Sequence, residues 1–162
     1  MDKAEFRRRH GDRIQVVVDW ERFAGPEWRI EELALSVPAD LGKLWTPWRR
    51  KTKPAEPGDP PPLSVVQAAS DAEVMRDADH RLAKQLARWQ DGVTLELPAF
   101  ALPDGMLLLL DGNHKVVAAA VRRGSAALKL AVIRGPNADL FPDLAGWANT
   151  LFAPEGPGKI AS

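Results

Sequence analysis

An apolar run that changes abruptly into a short polar turn and then into a run of small residues constrains this fold more than any other feature of the chain. Residues 107–110 are four consecutive leucines, residues 111–115 are polar or glycine, and residues 116–120 are valine and alanine. These three compositions favour, in order, a buried strand, a tight turn and a helix. The sequence therefore predicts a strand over 106–110 and a helix over 115–123, which Gly124 ends.

The predicted turn has the chemistry of an anion site. Gly112 allows a ligand to approach the backbone closely, and the first N–H groups of the following helix carry partial positive charge. The imidazole of His114 and the ammonium of Lys115 would add hydrogen-bond donors. The alternative is a purely structural turn, in which Asp111 or Asn113 only caps the helix.

The turn and its surroundings resemble the core of the ParB/sulfiredoxin-like fold, whose pattern is an Asp-Gly-x-His-Arg turn followed by paired alanines and a glycine. The matching residues here are Asp111-Gly112-Asn113-His114-Lys115, then Ala118-Ala119-Ala120, Gly124 and the apolar run Leu128 to Ile133. The resemblance covers residues 93–136, about a quarter of the chain.

The resemblance implies an α+β fold, in which helices pack against a small mixed sheet. It implies that the turn binds the phosphates of a nucleoside triphosphate or diphosphate, with or without Mg²⁺, through Asp111, Gly112, Asn113, His114 and Lys115. The implied function is an NTP-dependent phosphotransferase (a kinase) or an NTPase that acts on a small-molecule substrate.

The chain departs from the family at two positions of the turn. Sulfiredoxins have a cysteine where this chain has Asn113, and because the chain contains no cysteine, repair of sulfinic acids through a thiol intermediate is excluded. Lys115 replaces the usual arginine, which keeps the charge but loses the bidentate geometry of a guanidinium. We find neither the second nucleotide motif nor the helix-turn-helix of the chromosome-partitioning ParB proteins in the sequence.

Phosphoryl transfer also needs a carboxylate to accept the proton of a substrate hydroxyl. Gly112, Asn113, His114 and Lys115 offer donors and cations but no such group, and we expect Asp111 to be occupied with the turn. Some members of the family that phosphorylate free amino acids have a catalytic glutamate after their first strand. Three acids follow the first predicted strand here, and Glu21 is our first choice, with Asp19 and Glu32 behind it. For each of them, the alternative is a solvated acid in a loop.

A second candidate site lies in a proline-rich segment over residues 41–62. Trp45 and Trp48 are followed there by Arg49, Arg50, Lys51 and Lys53, with no acid between Leu41 and Ala55. Aromatic rings among cations suit stacking on bases and contacts with phosphates, although the ordinary role of such tryptophans is to anchor a loop on the core. The alternative functions are therefore a non-catalytic nucleic-acid or protein-interaction module, or a ParB-like nuclease.

The remaining pattern predicts one domain over residues 1–153 and a frayed tail over residues 154–162. The predicted strands cover residues 14–18, 93–98, 106–110 and 128–133. The predicted helices cover residues 28–36, 71–90 and 137–152, in addition to a short charged helix or arm at the N-terminus and the helix of the turn. The proline-rich segment is predicted to be a long, mobile loop.

Composition limits the partners. The 22 basic and 22 acidic side chains cancel, so any binding to a polyanion must come from local patches. Without cysteine, and with no second histidine at helical spacing from His80, a metal site built by the protein alone is not expected. No apolar stretch is long enough to span a bilayer, so we expect a cytoplasmic protein without a membrane partner. The sequence leaves the oligomeric state open.

Overall fold

The computed structural model describes residues 1–49, 61–71 and 79–153. In these ranges the chain is α+β, with six α-helices and one five-stranded mixed sheet. The strands are β1 (Arg29–Val37), β2 (Leu44–Trp45), β3 (Val93–Ala101), β4 (Leu107–Leu109) and β5 (Ala126–Arg134). The helices are α1 (Lys3–His10), α2 (Trp20–Phe23), α3 (Val65–Ser70), α4 (Asp79–Arg88), α5 (Asn113–Arg122) and α6 (Pro142–Phe152). The predicted α+β class is confirmed.

The strands lie in the order β1-β5-β3-β4-β2. Strand β5 pairs antiparallel with β1 and parallel with β3, while β4 pairs antiparallel with β3 and parallel with β2. The predicted hairpin between β3 and β4 is present, and it turns through Asp104 and Gly105, whose φ angles are 63° and 75°. The predicted strand over 128–133 is also present, as β5.

Apolar side chains form one cluster on each face of the sheet. Strand β3 contributes to both clusters: Leu97 and Ala99 belong to one, and Phe100 belongs to the other. Successive side chains of a strand point to opposite faces, so a strand covered on both sides carries apolar residues in both registers. Helices α3, α4 and α5 cover the first face, and α1, α2 and α6 cover the second.

Two of the predicted elements in the first quarter of the chain are wrong. Residues 14–18 form no strand; they run as an irregular segment in which Gln15 N–H donates to the Leu110 carbonyl at 2.9 Å, and Val17 is 56 % exposed. Residues 28–36 form no helix, because most of this segment belongs to β1, which pairs along its whole length with β5. The apolar residues of that segment fit the helical period of about 3.6 residues as well as the strand period of about 2, and pairing with β5 selects the strand.

Other boundaries also shift. Ser70, the predicted cap of a helix over 71–90, instead ends α3, and the capping box in this region joins Ser64 and Gln67. The described part of the predicted helix is α4, and residues 72–78 lie outside the described ranges. The last helix begins at Pro142 instead of residue 137, since the preceding residues form turns in which Ala138 N–H donates to Asn149 Oδ1 at 2.6 Å.

The proline-rich segment is anchored at its base. Its first residues include β2, whose Leu44 pairs with Leu107 of β4. Thr46 N–H donates to the Leu63 carbonyl at 2.8 Å, and Leu63 N–H donates to the Trp48 carbonyl at 2.9 Å. The mobility predicted for this segment falls mainly on residues 50–60, which, like the predicted tail, lie outside the described ranges.

Candidate phosphate-binding groove

The predicted turn joins β4 to α5, and its shape depends on Gly112. This residue has φ 76° and ψ 13°, in the left-handed region. A Cβ atom built at this position would collide with the side chain of Leu97 on β3. Glycine is therefore required twice, by the backbone angle and by the close packing of the turn against the sheet.

Neither Asp111 nor Asn113 caps α5. The N-cap residue is Gly112, whose carbonyl accepts the first helical hydrogen bond from Val116 N–H at 3.0 Å. Within the described parts of the chain, no side chain accepts a hydrogen bond from the first turn of the helix. The cap expected of Asp111 or Asn113 in the structural alternative is therefore absent from the described residues, and phosphate binding by the turn stays a prediction.

Asn113 ties the turn to its neighbours. Its side chain is fully buried, and Nδ2 donates to the Leu109 carbonyl and to Gln15 Oε1, both at 3.2 Å. A carbonyl only accepts, so Leu109 determines which end of the amide faces it. The Oδ1 atom of Asn113 has no partner among the described residues.

His114 lies half-buried against Trp48. The two ring centroids are 4.8 Å apart and the ring planes are inclined at 57°. Burial and, secondarily, the positive charge of Arg81 lower the pKa of His114, while the carboxylate of Asp111 raises it to a smaller extent. The ring is therefore biased toward its neutral form until an anion arrives to favour protonation.

The turn forms one wall of a groove of about 340 Å³, and α4 forms the opposite wall. The groove is lined by Gln15, Arg81, Lys84, Gln85, Arg88, Asp111, Gly112, His114 and Lys115. Among the described lining residues, four permanent cations and one histidine thus face one carboxylate, that of Asp111. In a chain with no net charge, this groove is a local positive patch.

The cations of α4 were not identified as site residues from the sequence. Arg81, Lys84 and Arg88 follow one another at helical spacing, which places them on one side of α4. That spacing was the available signal, but it is equally typical of a solvated helix face. Only the packing of α4 beside α5 shows that this face meets the turn.

The three carboxylates predicted for catalysis lie elsewhere. Asp19 caps α2 by accepting a hydrogen bond from Arg22 N–H at 3.0 Å, and Glu21 is exposed on the same helix. Glu32 is on β1, at a second hollow of about 480 Å³. None of the three belongs to the described residues that line the groove, and their catalytic role stays a prediction.

Asp111 connects the groove with this second hollow electrostatically. The hollow is lined in part by His10, whose pKa is lowered mainly by burial and is raised in part by Asp111 and Glu96. His114, in the groove, feels the same Asp111 carboxylate. A change of charge at Asp111 would therefore affect both histidines.

Both tryptophans of the proline-rich segment pack onto the domain. Trp45 lies 5.5 Å from Trp147 of α6 between ring centroids, and Trp48 lies against His114. Arg49 Nη2 donates to the Asp143 carbonyl at 3.4 Å. These contacts agree with an anchoring role for the tryptophans. The other cations predicted to bind nucleic acid, Arg50, Lys51 and Lys53, lie outside the described residues.

No model of a protein family, no curated protein and no solved structure matches this chain. Among the described residues, no helix is long and apolar enough to cross a membrane. The same residues contain no group of three or more histidine, aspartate or glutamate side chains placed to hold a metal ion.

Proposed function

We propose that this protein binds a nucleotide through its phosphates in the groove between α4 and the turn at residues 111–115, and that its chemistry is phosphoryl transfer or NTP hydrolysis. The observation that carries the proposal is the charge of the groove, in which Arg81, Lys84, Arg88 and Lys115 surround one carboxylate among the described lining residues. The resemblance of the turn to the ParB/sulfiredoxin-like fold supports the same ligand, and we propose that fold for the chain.

Each wall of the groove would supply different groups for phosphate binding. The turn offers backbone N–H groups at the start of α5, together with His114 and Lys115. Lys115 is a point charge and lacks the fork of the arginine usual at its position. Arg81 and Arg88 supply that geometry from α4, because a guanidinium can donate two parallel hydrogen bonds to one phosphate.

Asp111 is the carboxylate best placed for a chemical step in this groove. It lines the groove and accepts no hydrogen bond from any described residue. Phosphoryl transfer uses a carboxylate to accept the proton of the attacking hydroxyl or to help hold Mg²⁺, which proteins commonly bind through one or two carboxylates and the phosphates of the substrate. A bound Mg²⁺ would neutralise charge on the phosphates, and Asp111 would be its protein ligand.

The test compares thermal unfolding with ATP, ADP and adenosine, with and without Mg²⁺. A ligand at a hundred times its Kd stabilises the folded state by about 2.7 kcal/mol, so ATP and ADP should raise the Tm clearly and adenosine should not. The double substitution His114→Ala and Lys115→Ala should abolish the shift. Lys43→Ala, a cation outside the groove, is the matched control and should retain it.

Two results would contradict the proposal. An unchanged shift in the double variant would place the nucleotide elsewhere on the protein. The absence of any shift with ATP and ADP would show that the groove does not bind nucleotides.

A further inference from the structure

Five exposed cations lie along two neighbouring helices and extend beyond the groove. We call this surface the cationic helix pair; it consists of Arg81, Lys84 and Arg88 on α4 and of Lys115 and Arg122 on α5. The two helices point the same way. Arg81 acts electrostatically on His114 at the start of α5, and Trp89, just after α4, lies beside Gly124, just after α5.

The surface is continuous with the groove. Arg122 Nη2 donates to the Leu86 carbonyl of α4 at 3.2 Å. Leu86 follows Gln85 and precedes Arg88, both of which line the groove. The side chain of Arg122 therefore reaches across to the same stretch of α4, and the cations form one surface with the site.

The length of this surface exceeds what one phosphate needs. Arg88 lies seven positions after Arg81, and Arg122 lies seven positions after Lys115, so each row rises about 10 Å along its helix. Each row is thus longer than one phosphate group and can contact successive phosphates of a strand.

Among the residues that the structure describes, these cations have little internal compensation. None of the five forms an ion pair with an acidic residue in the described ranges. Of the nearby acids that the structure describes, Asp111 lies inside the groove, and the carboxylate of Asp91 accepts hydrogen bonds from Trp89 Nε1 and Ser125 N–H. Clustered cations repel each other, and an external polyanion would relieve that repulsion.

We infer that the cationic helix pair binds the phosphate backbone of a single-stranded nucleic acid. The described large apolar residues that are most exposed are Val17, Val66 and Leu151, and none of them lies on α4 or α5, so this surface lacks the side chains that insert into a membrane. An acidic peptide has no phosphate for the groove. Half-buried tryptophans flank the surface, with Trp48 beside His114 and Trp89 after α4, and aromatic rings beside cations favour single strands.

The test measures binding of a fluorescent oligothymidylate of roughly 20 nucleotides to the full chain by anisotropy, between about 50 and 200 mM salt. Five phosphate contacts predict a slope of log K against log salt of about −3.5. Arg122→Gln removes the one cation of the five that does not line the groove, so it should make the slope shallower by about 0.7 and leave the ATP-dependent Tm shift unchanged. Arg29→Gln, on edge strand β1, is the matched control and should leave the slope unchanged.

The outcomes separate this inference from the nucleotide proposal. Binding without salt dependence, or equal slopes for Arg122→Gln and Arg29→Gln, would overturn the inference even if ATP still stabilises the protein. Tighter binding to phosphatidylserine vesicles or to polyglutamate than to the oligonucleotide would overturn it as well. If Arg122→Gln lowers the Tm through the lost bond to Leu86, Lys84→Gln provides the second variant, and it should give the same change in slope.

Discussion

The indole ring of Trp48 rests on the imidazole ring of His114, with the centroids 4.8 Å apart. Trp48 is fixed in turn, since its carbonyl accepts a hydrogen bond from Leu63 N–H at 2.9 Å and its own N–H donates to Thr46 Oγ1 at 3.1 Å. The base of the proline-rich segment is thereby joined to the turn that faces the groove. Because burial is the main cause of the lowered pKa of His114, that pKa should depend on Trp48.

Replacing Trp48 should change the titration of His114. Trp48→Ala exposes the imidazole, so the pKa of His114 should rise toward its ordinary value of about 6.5. Titration of the histidine ring protons by NMR measures this directly. Trp147→Ala removes a ring that contacts Trp45 and should leave the pKa of His114 in place. An unchanged pKa in Trp48→Ala would mean that the indole does not desolvate the imidazole.

Acidification should destabilise the protein through two histidines. Burial lowers the pKa of both His10 and His114, so below their ordinary pKa the unfolded chain binds more protons than the folded one. Their contribution to the free energy of unfolding is complete above about pH 6.5 and is lost as the pH falls through the lowered values. Urea unfolding between about pH 7.5 and 5 measures the trend, and the double substitution His10→Gln and His114→Gln should flatten it. Greater stability of the parent at the acidic end would contradict the assignment.

Gly112 should not tolerate a side chain. Gly112→Ala places a Cβ against Leu97 and requires alanine at a positive φ, so the free energy of unfolding should fall by about 1–3 kcal/mol. Gly146→Ala is the matched control, because Gly146 lies within α6 and a Cβ there meets open space. That control should gain about 0.5–1 kcal/mol from helix propensity. Equal denaturant midpoints for the two variants would rule out the close packing described for the turn.

Asn113 should not tolerate replacement by its acid. Asn113→Asp removes the donor to the Leu109 carbonyl and buries a carboxylate, which should cost about 3 kcal/mol near pH 7. The loss should shrink in acid, since a protonated carboxyl can donate again. Asn137→Asp is the control, because the described bond at Asn137 uses only its oxygen, which accepts from Asp139 N–H at 3.0 Å. Unfolding curves at about pH 7 and pH 4 test both variants, and a loss at Asn113 that does not depend on pH would exclude a buried charge as the cause.

Turnover should identify the carboxylate that takes part in the chemistry. If Asp111 accepts the proton or holds the metal, Asp111→Asn should lower phosphate release or transfer from ATP by about a hundredfold or more, while binding of ATP persists. Parallel measurements on Glu21→Gln, Asp19→Asn and Glu32→Gln test the sites expected from the sequence alone. A loss confined to Glu21→Gln would return the role to that residue, and full activity in all four variants would remove a carboxylate from the mechanism.

The local sequence by itself determined the secondary structure around the turn at residues 111–115. The hairpin through Asp104 and Gly105, the positive φ of Gly112 and the helix that follows it were all predictable, because glycine, proline and a run of leucines restrict the backbone within a few residues. The same restriction predicted that His114 and Lys115 lie together in the turn, and both line the groove. No partner elsewhere in the chain was needed for those predictions.

Tertiary structure decided the elements whose identity depends on a partner. The apolar residues of β1 fit a helix as well as a strand until Arg29–Val37 pairs with β5. Residues 14–18 are β-branched at four of five positions, yet they form no strand in the described structure, since β propensity alone does not supply a partner strand. Tertiary packing also decided the second wall of the groove, which α4 forms. Helical spacing places Arg81, Lys84 and Arg88 on one face of α4, but only burial of the opposite face, through Leu82, against the sheet and α5 turns these cations toward the turn.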